Sequence, residues 1–347
     1  MDLNQRHLVE FLQSIKVCEK LSEFVKHPDS YLQYEAFCAL RTLLIADESL
    51  ASQFDGILCE FSVPQNENFV DFVNAKLVVA LILLENNVNI ALDIDSLISF
   101  LRDEKFSILA AKCIYASNQN IPAQTDDLSP EVCLYVVGNS VHTTGERMEE
   151  FLHLILSCVA DDAFVGTALE MLMGLACEGK ELERVVEICV PLFSTHGEQA
   201  LAVVNVCCSN GFYSESLIQE LFLFSNLKNF LSTLLNLISD KPDLILKESQ
   251  LAILLQSQDL LVLEVFSLLG KGPQNSQFIP QIVEKVLSFD AQASVADCIV
   301  DIFSEDNHDQ VYFDMQVGSK IKSFCNLDQK MKQMVVDFVE YMENKRR

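Results

Sequence analysis

The 347 residues carry 50 Asp and Glu against 24 Lys and Arg, a formal net charge of −26, and half of them are hydrophobic. Such a composition excludes intrinsic disorder, which requires few bulky apolar residues, and argues against direct nucleic-acid binding, because most of the surface repels phosphate. With 11 Gly and 8 Pro, and no glycine between Ile57 and Val137, the chain lacks the turn formers of a β-sandwich or barrel.

The pattern therefore points to helices, in chain order. The first is expected over residues 4–17, with Leu8, Phe11, Leu12 and Ile15 on one face, and a second over 18–26, closed by His27, Pro28 and Asp29. Between 28 and 61, Ala36, Ala39, Leu40 and Leu43 recur at helical spacing. After a corner at Asp47, Glu48 and Ser49, the residues Phe54, Ile57, Leu58 and Phe61 repeat it and predict a second helix. A polar corner from Pro64 precedes a helix over 68–84 that is apolar nearly all round, as a helix covered on both sides would be. Asp95 and Ser96 are expected to cap a short helix through Leu101, and Ile108, Ala111, Lys112 and Tyr115 mark the next. Residues 118–130 are the most loop-like stretch. A helix begins at Pro130 and gives way to a connection from Gly138 to Gly145.

The second half is more regular. Helices are expected over 146–159, 163–177, 181–193, 197–208, 213–224, 226–238, 242–255 and 260–269. Gly270 to Pro273 makes a firmer break, followed by 277–289, 291–303 and two closing helices up to Tyr341. Roughly twenty helices make about 35 to 40 residues per pair, the range of helical solenoid repeats. The expected fold is an all-α superhelix of roughly ten pairs. It forms one continuous array over 1–347 with weak boundaries at 118–130 and 270–276.

Particular residues resemble known repeats. Asp29 and Gln33 lead in, Glu35, Ala36, Ala39, Leu40, Leu43 and Leu44 form a middle helix, Asp47 and Glu48 a corner, and Phe54 to Ile57 open the next helix at Gly56. Residues 28–61 thus resemble one armadillo repeat. Residues 290–303, with Ala291, Val295, Ala296, Ile299 and Phe303, are more loosely similar to the second half of a HEAT unit. The resemblance to the armadillo/HEAT-like superfamily implies an α-solenoid that binds a protein on its concave face. It does not extend to the basic residues and asparagines with which importin-type grooves hold extended peptides.

Motifs for chemistry are weak. Gly174 to Lys180 fits the first seven positions of a phosphate loop, but Glu181 stands where a Ser or Thr hydroxyl should meet Mg²⁺, so Gly179 is read as a helix cap. No two cysteines are spaced as CxxC, and Cys207 and Cys208, adjacent on a helix, point about 100° apart. His7, His27, His142, His153, His196 and His308 are scattered, and His153 is expected to be a partly buried packing residue. The doublets Asp126-Asp127 and Asp161-Asp162 sit beside helix starts, where Asp caps. No catalytic, cofactor-binding or metal residue is therefore assigned, and no cofactor is expected.

With twelve cysteines mostly in apolar helical faces, no leader-like start and no Asn-x-Ser/Thr, free thiols in a reducing compartment are expected, in the cytoplasm, the nucleus or both. The longest apolar run, from Leu77 to Leu84, is far short of the roughly 20 residues that span a bilayer. The expected role is a non-enzymatic scaffold, adaptor or assembly chaperone whose protein partner carries a basic segment. Asp301, Glu305, Asp306, Asp309 and Asp314 form the densest acidic stretch. Two alternatives stay open. One is a nucleic-acid- or chromatin-associated factor using the basic C-terminus, where residues 320–347 hold seven Lys/Arg against four Asp/Glu, net +3. The other is an all-helical enzyme regulator with an unrecognised pocket.

Overall fold

The computed structural model describes residues 17–59, 69–121, 123–239, 244–271, 273–304 and 308–345. Residues 4–16 of the helix expected over 4–17, the corner at Pro64, His7, Glu305, Asp306, Arg346 and Arg347 lie outside them. The regular elements of the described residues are α-helices, 3₁₀ turns and one two-residue parallel strand pair, joined by short connections. Two compact units, Met1–Met171 and Leu172–Arg347, divide the chain. The division falls inside a helix (Val165–Cys177), while 118–130 and 270–276 each lie within one unit.

In the first unit, α1 (Val17–Phe24) packs on α2 (Ser30–Ala46), and α2 on α3 (Phe69–Glu85). Next come α4 (Ile94–Phe100), α5 (Ser107–Ala116), α6 (Pro130–Thr144) and α7 (Met148–Val159). Here α3 packs on α5, α5 on α6 and α6 on α7. Asp29 starts α2, accepting the N–H groups of Tyr31 and Leu32. Those are donors that a helix cannot satisfy itself. Helix α3 buries Phe72, Val73, Ala75, Leu77, Val79, Ala80, Ile82 and Leu83, the all-round coverage its sequence required. One polar residue shares that burial: the Lys76 ammonium lies 4.5 Å from the centroid of Phe72 and 5.2 Å from that of Phe37.

The helix predicted through Phe54 to Phe61 is not formed over residues 54–59, and Phe61 lies outside the described residues. A 3₁₀ turn (Glu48–Phe54), begun by Asp47 accepting Ser49 N–H, occupies its first half. Gly56 then turns at φ +71°, a conformation that stops a right-handed helix. Its N–H bonds Asn89 O at 2.9 Å, and β1 (Leu58–Cys59) pairs in parallel with β2 (Ala91–Leu92). Leu50, Phe54 and Ile57 are buried all the same, so helical spacing here served a turn and an extended segment.

Two more readings are corrected. Asp93, not Asp95, caps α4, accepting Ser96 N–H at 3.2 Å. No connection opens at Gly138; α6 runs through it to Thr144, and Gly145 at φ +74° is the stop. Gly138 is required by close approach, since a Cβ there would lie 3.1 Å from the Tyr115 ring and 3.2 Å from that of Phe151.

The helix that carries the division between the units is α8 (Val165–Cys177). The second unit continues with α9 (Leu182–Cys189), α10 (Phe193–Ser209), α11 (Glu215–Leu223), α12 (Phe230–Ser239), α13 (Glu248–Gln256) and α14 (Leu261–Lys271). It ends with α15 (Ile279–Val286), α16 (Gln292–Ile302) and three closing helices rather than two: α17 (Asp309–Asp314), α18 (Val317–Lys322) and α19 (Gln329–Lys345). A ladder of alternate helices forms its spine, with α10 on α12, α12 on α14, α14 on α16 and α16 on α19. The helices between them form a second row, α11 beside α12, and α15 against α14 and α16. Helix α10 is kinked at His196 (φ −126°, ψ 37°), in the gap between the helices expected over 181–193 and 197–208.

Buried amides and one imidazole tie the corners. Asn139 donates to Ile114 O at 2.9 Å and accepts Ile121 N–H. Asn275 donates to Leu244 O at 2.8 Å and Leu269 O at 3.3 Å, and accepts Leu246 N–H at 3.2 Å. His308 donates Nε2–H to Gly270 O at 2.8 Å, which fixes its tautomer, because a carbonyl only accepts. The bonds to the Ile114, Leu269 and Gly270 carbonyls satisfy groups that helix ends leave open. Gly270 also brings α14 and α16 together, since a Cβ there would lie 2.7 Å from Ile302 Cγ1.

Candidate functional site

Among the described residues, those singled out in the sequence do not assemble into one site within either unit. Gly179 (φ +69°) ends α8 with its N–H on Ala176 O, and Lys180 pairs with Glu178 at 2.7 Å, so the phosphate-loop match is a helix stop. Asp161 accepts Ala163 N–H at 2.9 Å in a turn. His153 is exposed, contrary to the packing role expected of it, while His27 accepts Asp29 N–H and His142 meets the Tyr115 hydroxyl. Among the described residues no group of three His, Cys, Asp or Glu is placed to hold a metal ion.

Every cysteine whose side chain is described is a free thiol, and only Cys177 and Cys325 of these are exposed. Burial pushes Cys207 and Cys208 up to about 12, and Cys189 and Cys298 higher still, so these four thiols stay protonated. Two buried thiols tie neighbouring helices: Cys113 Sγ donates to Leu77 O at 3.4 Å and Cys298 Sγ to Leu263 O at 3.2 Å.

The acidic stretch and the basic tail both have structural partners. Asp309 pairs with Lys345 at 3.3 Å, Asp314 accepts from Gln310, and Asp301 accepts from Ser267 and lies 3.5 Å from Lys271. Lys322 pairs with Glu343 at 2.9 Å, and the Lys345 ammonium also lies 4.8 Å from the Tyr341 centroid.

What the packing does assemble is a groove of about 600 Å³ over the outer face of α14. Clefts of about 300–1,000 Å³ suit ligands the size of a few side chains. Its floor is Leu260, Leu261, Glu264, Leu268 and Lys271. One wall is Leu235 and Ser239 of α12, and the other is Ser294, Asp297 and Asp301 of α16. Leu260 is 50 % exposed, and Leu235, Leu261 and Leu268 are half-buried. The carboxylates differ in their engagements. Asp259 accepts Leu261 N–H at 3.0 Å and so begins α14, and Asp301 is held by Ser267 and Lys271. Glu264 and Asp297 make no ion pair among the described residues. Partial burial and the nearby Asp301 and Asp328 hold the Asp297 carboxyl above the usual aspartate range, with Lys330 opposing them weakly. Glu264 and Asp297 are 33 positions apart in sequence, and only the packing of α14 on α16 brings them to one groove. Two smaller grooves, of about 450 and 400 Å³, share Tyr213, in the connection between α10 and α11.

Fold and groove define the class: an all-helical protein of packed helix ladders with a mixed apolar and acidic surface groove. No family model and no curated protein matches the chain. Among solved structures it is similar to the crystal structure of an engineered protein from the Northeast Structural Genomics Consortium. That match has a TM-score of 0.52 at 13% identity, over 94% of this chain and 98% of that one. At that identity the likeness concerns the helical fold alone. A second engineered protein of the same consortium aligns at 13% identity over 94% of this chain and 97% of that one, with a TM-score of 0.20, too low to bear on the fold. No described helix is long and apolar enough to cross a membrane.

Proposed function

We propose that the protein is a non-enzymatic α-solenoid of armadillo/HEAT-like repeats that works as a protein-interaction scaffold, adaptor or assembly chaperone, in the cytoplasm, the nucleus or both. The observation that carries this reading is the α10–α12–α14–α16–α19 ladder, in which each spine helix packs on the next and a groove lies open over α14. Helical repeats stacked in this way present such faces to partners. The ion pairs that engage Lys322 and Lys345 weigh against a nucleic-acid role for the basic tail, because cations already paired release fewer counterions on meeting phosphate. Affinity purification of the tagged full chain from cell extract, with quantitative mass spectrometry, tests the role. A stoichiometric protein partner is expected. Recovery of nucleic acid or of nothing at stoichiometric level would overturn it.

A further inference from the structure

We propose that the groove over α14 is the docking site for an amphipathic, Lys/Arg-bearing segment of a protein partner. Its apolar residues sit on Leu235, Leu260 and Leu268, and its cations face Glu264 and Asp297. This assignment rests on the scaffold reading and names the place and chemistry of contact. Three observations carry it. The groove leaves leucine surface open in its floor and one wall, where water is a poor neighbour. Its rim is acidic, and two of its carboxylates form no ion pair among the described residues, so a basic segment complements them. Asp297 is crowded by Asp301 and Asp328, so an incoming cation relieves a repulsion that the free protein carries.

The same features disfavour other occupants. Phosphate backbones are repelled by the rim and by the −26 charge of the chain. A second copy would bring the same carboxylates face to face. A small polyamine would leave the leucines uncovered.

Fluorescence anisotropy with the full chain tests the proposal. The probe is a labelled peptide of alternating Leu and Lys, compared with Leu–Glu and Gly–Lys peptides. The Leu–Lys probe should bind, more weakly as salt rises, and the other two much less. The double variant Glu264→Gln/Asp297→Asn should weaken it about tenfold, the sum of two rim contacts. Glu187→Gln/Glu220→Gln, which removes the same charge from α9 and α11, should change it less than twofold. Thermal melts establish that both variants are folded, and Leu260→Ser, which keeps every charge, should also weaken binding severalfold. Equal weakening by the two double variants, or equal binding of Gly–Lys and Leu–Lys, would show diffuse charge attraction and overturn the site. So would absence of binding by the wild-type chain. A partner recovered from extract equally by wild type and Glu264→Gln/Asp297→Asn sinks the groove but leaves the scaffold reading intact. Loss of the scaffold reading requires the wild type to recover none.

Discussion

Replacing Asn275 by Ala should destabilise the second unit out of proportion to the atoms removed. The side chain is fully buried, and its carboxamide serves Leu244 O, Leu269 O and Leu246 N. Alanine leaves these main-chain groups without that partner, at about 1–3 kcal/mol for each buried group left unsatisfied. Water entering the vacated space recovers part of this, so the net loss is about 3 kcal/mol. For a folding unit of about 150–250 residues each kcal/mol lowers the melting temperature by about 2–4 °C, which gives about 6–12 °C. Circular dichroism melts and urea midpoints measure both quantities. Asn275→Leu, which fills the space but supplies no polar atom, should cost more than Asn275→Ala. Asn139→Ala should repeat the effect in the first unit, where the amide serves Ile114 O and Ile121 N. If Asn275→Ala costs under 1 kcal/mol, or Asn275→Leu is the milder change, the corner is not held by this amide and the reasoning fails.

Gly270→Ala gains about 1 kcal/mol of helix propensity but drives its Cβ into Ile302, and overpacking of about 1–3 kcal/mol should win. Adding Ile302→Ala should restore part of the loss relative to the sum of the single changes, and a double-mutant cycle of urea midpoints checks it. The Tyr312 hydroxyl is buried without a hydrogen-bond partner among the described residues, and burial with Glu343 nearby pushes it up to about 12. Tyr312→Phe keeps the edge-on contacts with Phe303 and Phe338 and should raise stability by about 1 kcal/mol, read as a higher melting temperature. Asp297→Asn should stabilise by on the order of 0.5 kcal/mol at neutral pH, since solvent screens an exposed site. The sign follows from the raised carboxyl: the folded state binds the proton more readily, so the aspartate form loses stability as pH rises through that window. The difference between wild type and variant should therefore vanish as pH falls below the carboxylate range, and melts across pH test it.

Most helices were legible because burial on one side imposes a 3.6-residue period that apolar residues record directly. The exceptions are instructive. Phe54 and Ile57 kept helical spacing across a 3₁₀ turn and the start of an extended segment, where a positive-φ glycine changes the geometry while both stay buried. Gly138 looked like punctuation, yet its role is to admit two aromatic rings from other helices. Asn139 and Asn275 gave a signal of different strength. The first interrupts an apolar run from Val132 to Val141 and was open to notice; the second sat among corner residues that look solvent-facing. Glu264 and Asp297 carried no local signal, since each is an ordinary exposed acid on its own helix. Asp301 stood out in sequence for its acidic neighbours, but Ser267 and Lys271 engage it.

The thiols that tie helix to helix have a practical consequence. Alkylating reagents attack thiolates, and burial suppresses that form at Cys298 while its sulfur stays bonded to Leu263 O. Modification of Cys298 then requires the α14–α16 seam to part, and modification of Cys113 requires the α3–α5 seam to part. Cys177 and Cys325, already exposed, provide the unrestricted rate for comparison. The native sequence thus contains a reporter of local opening within each unit, directly under the groove in one of them, without any label being introduced.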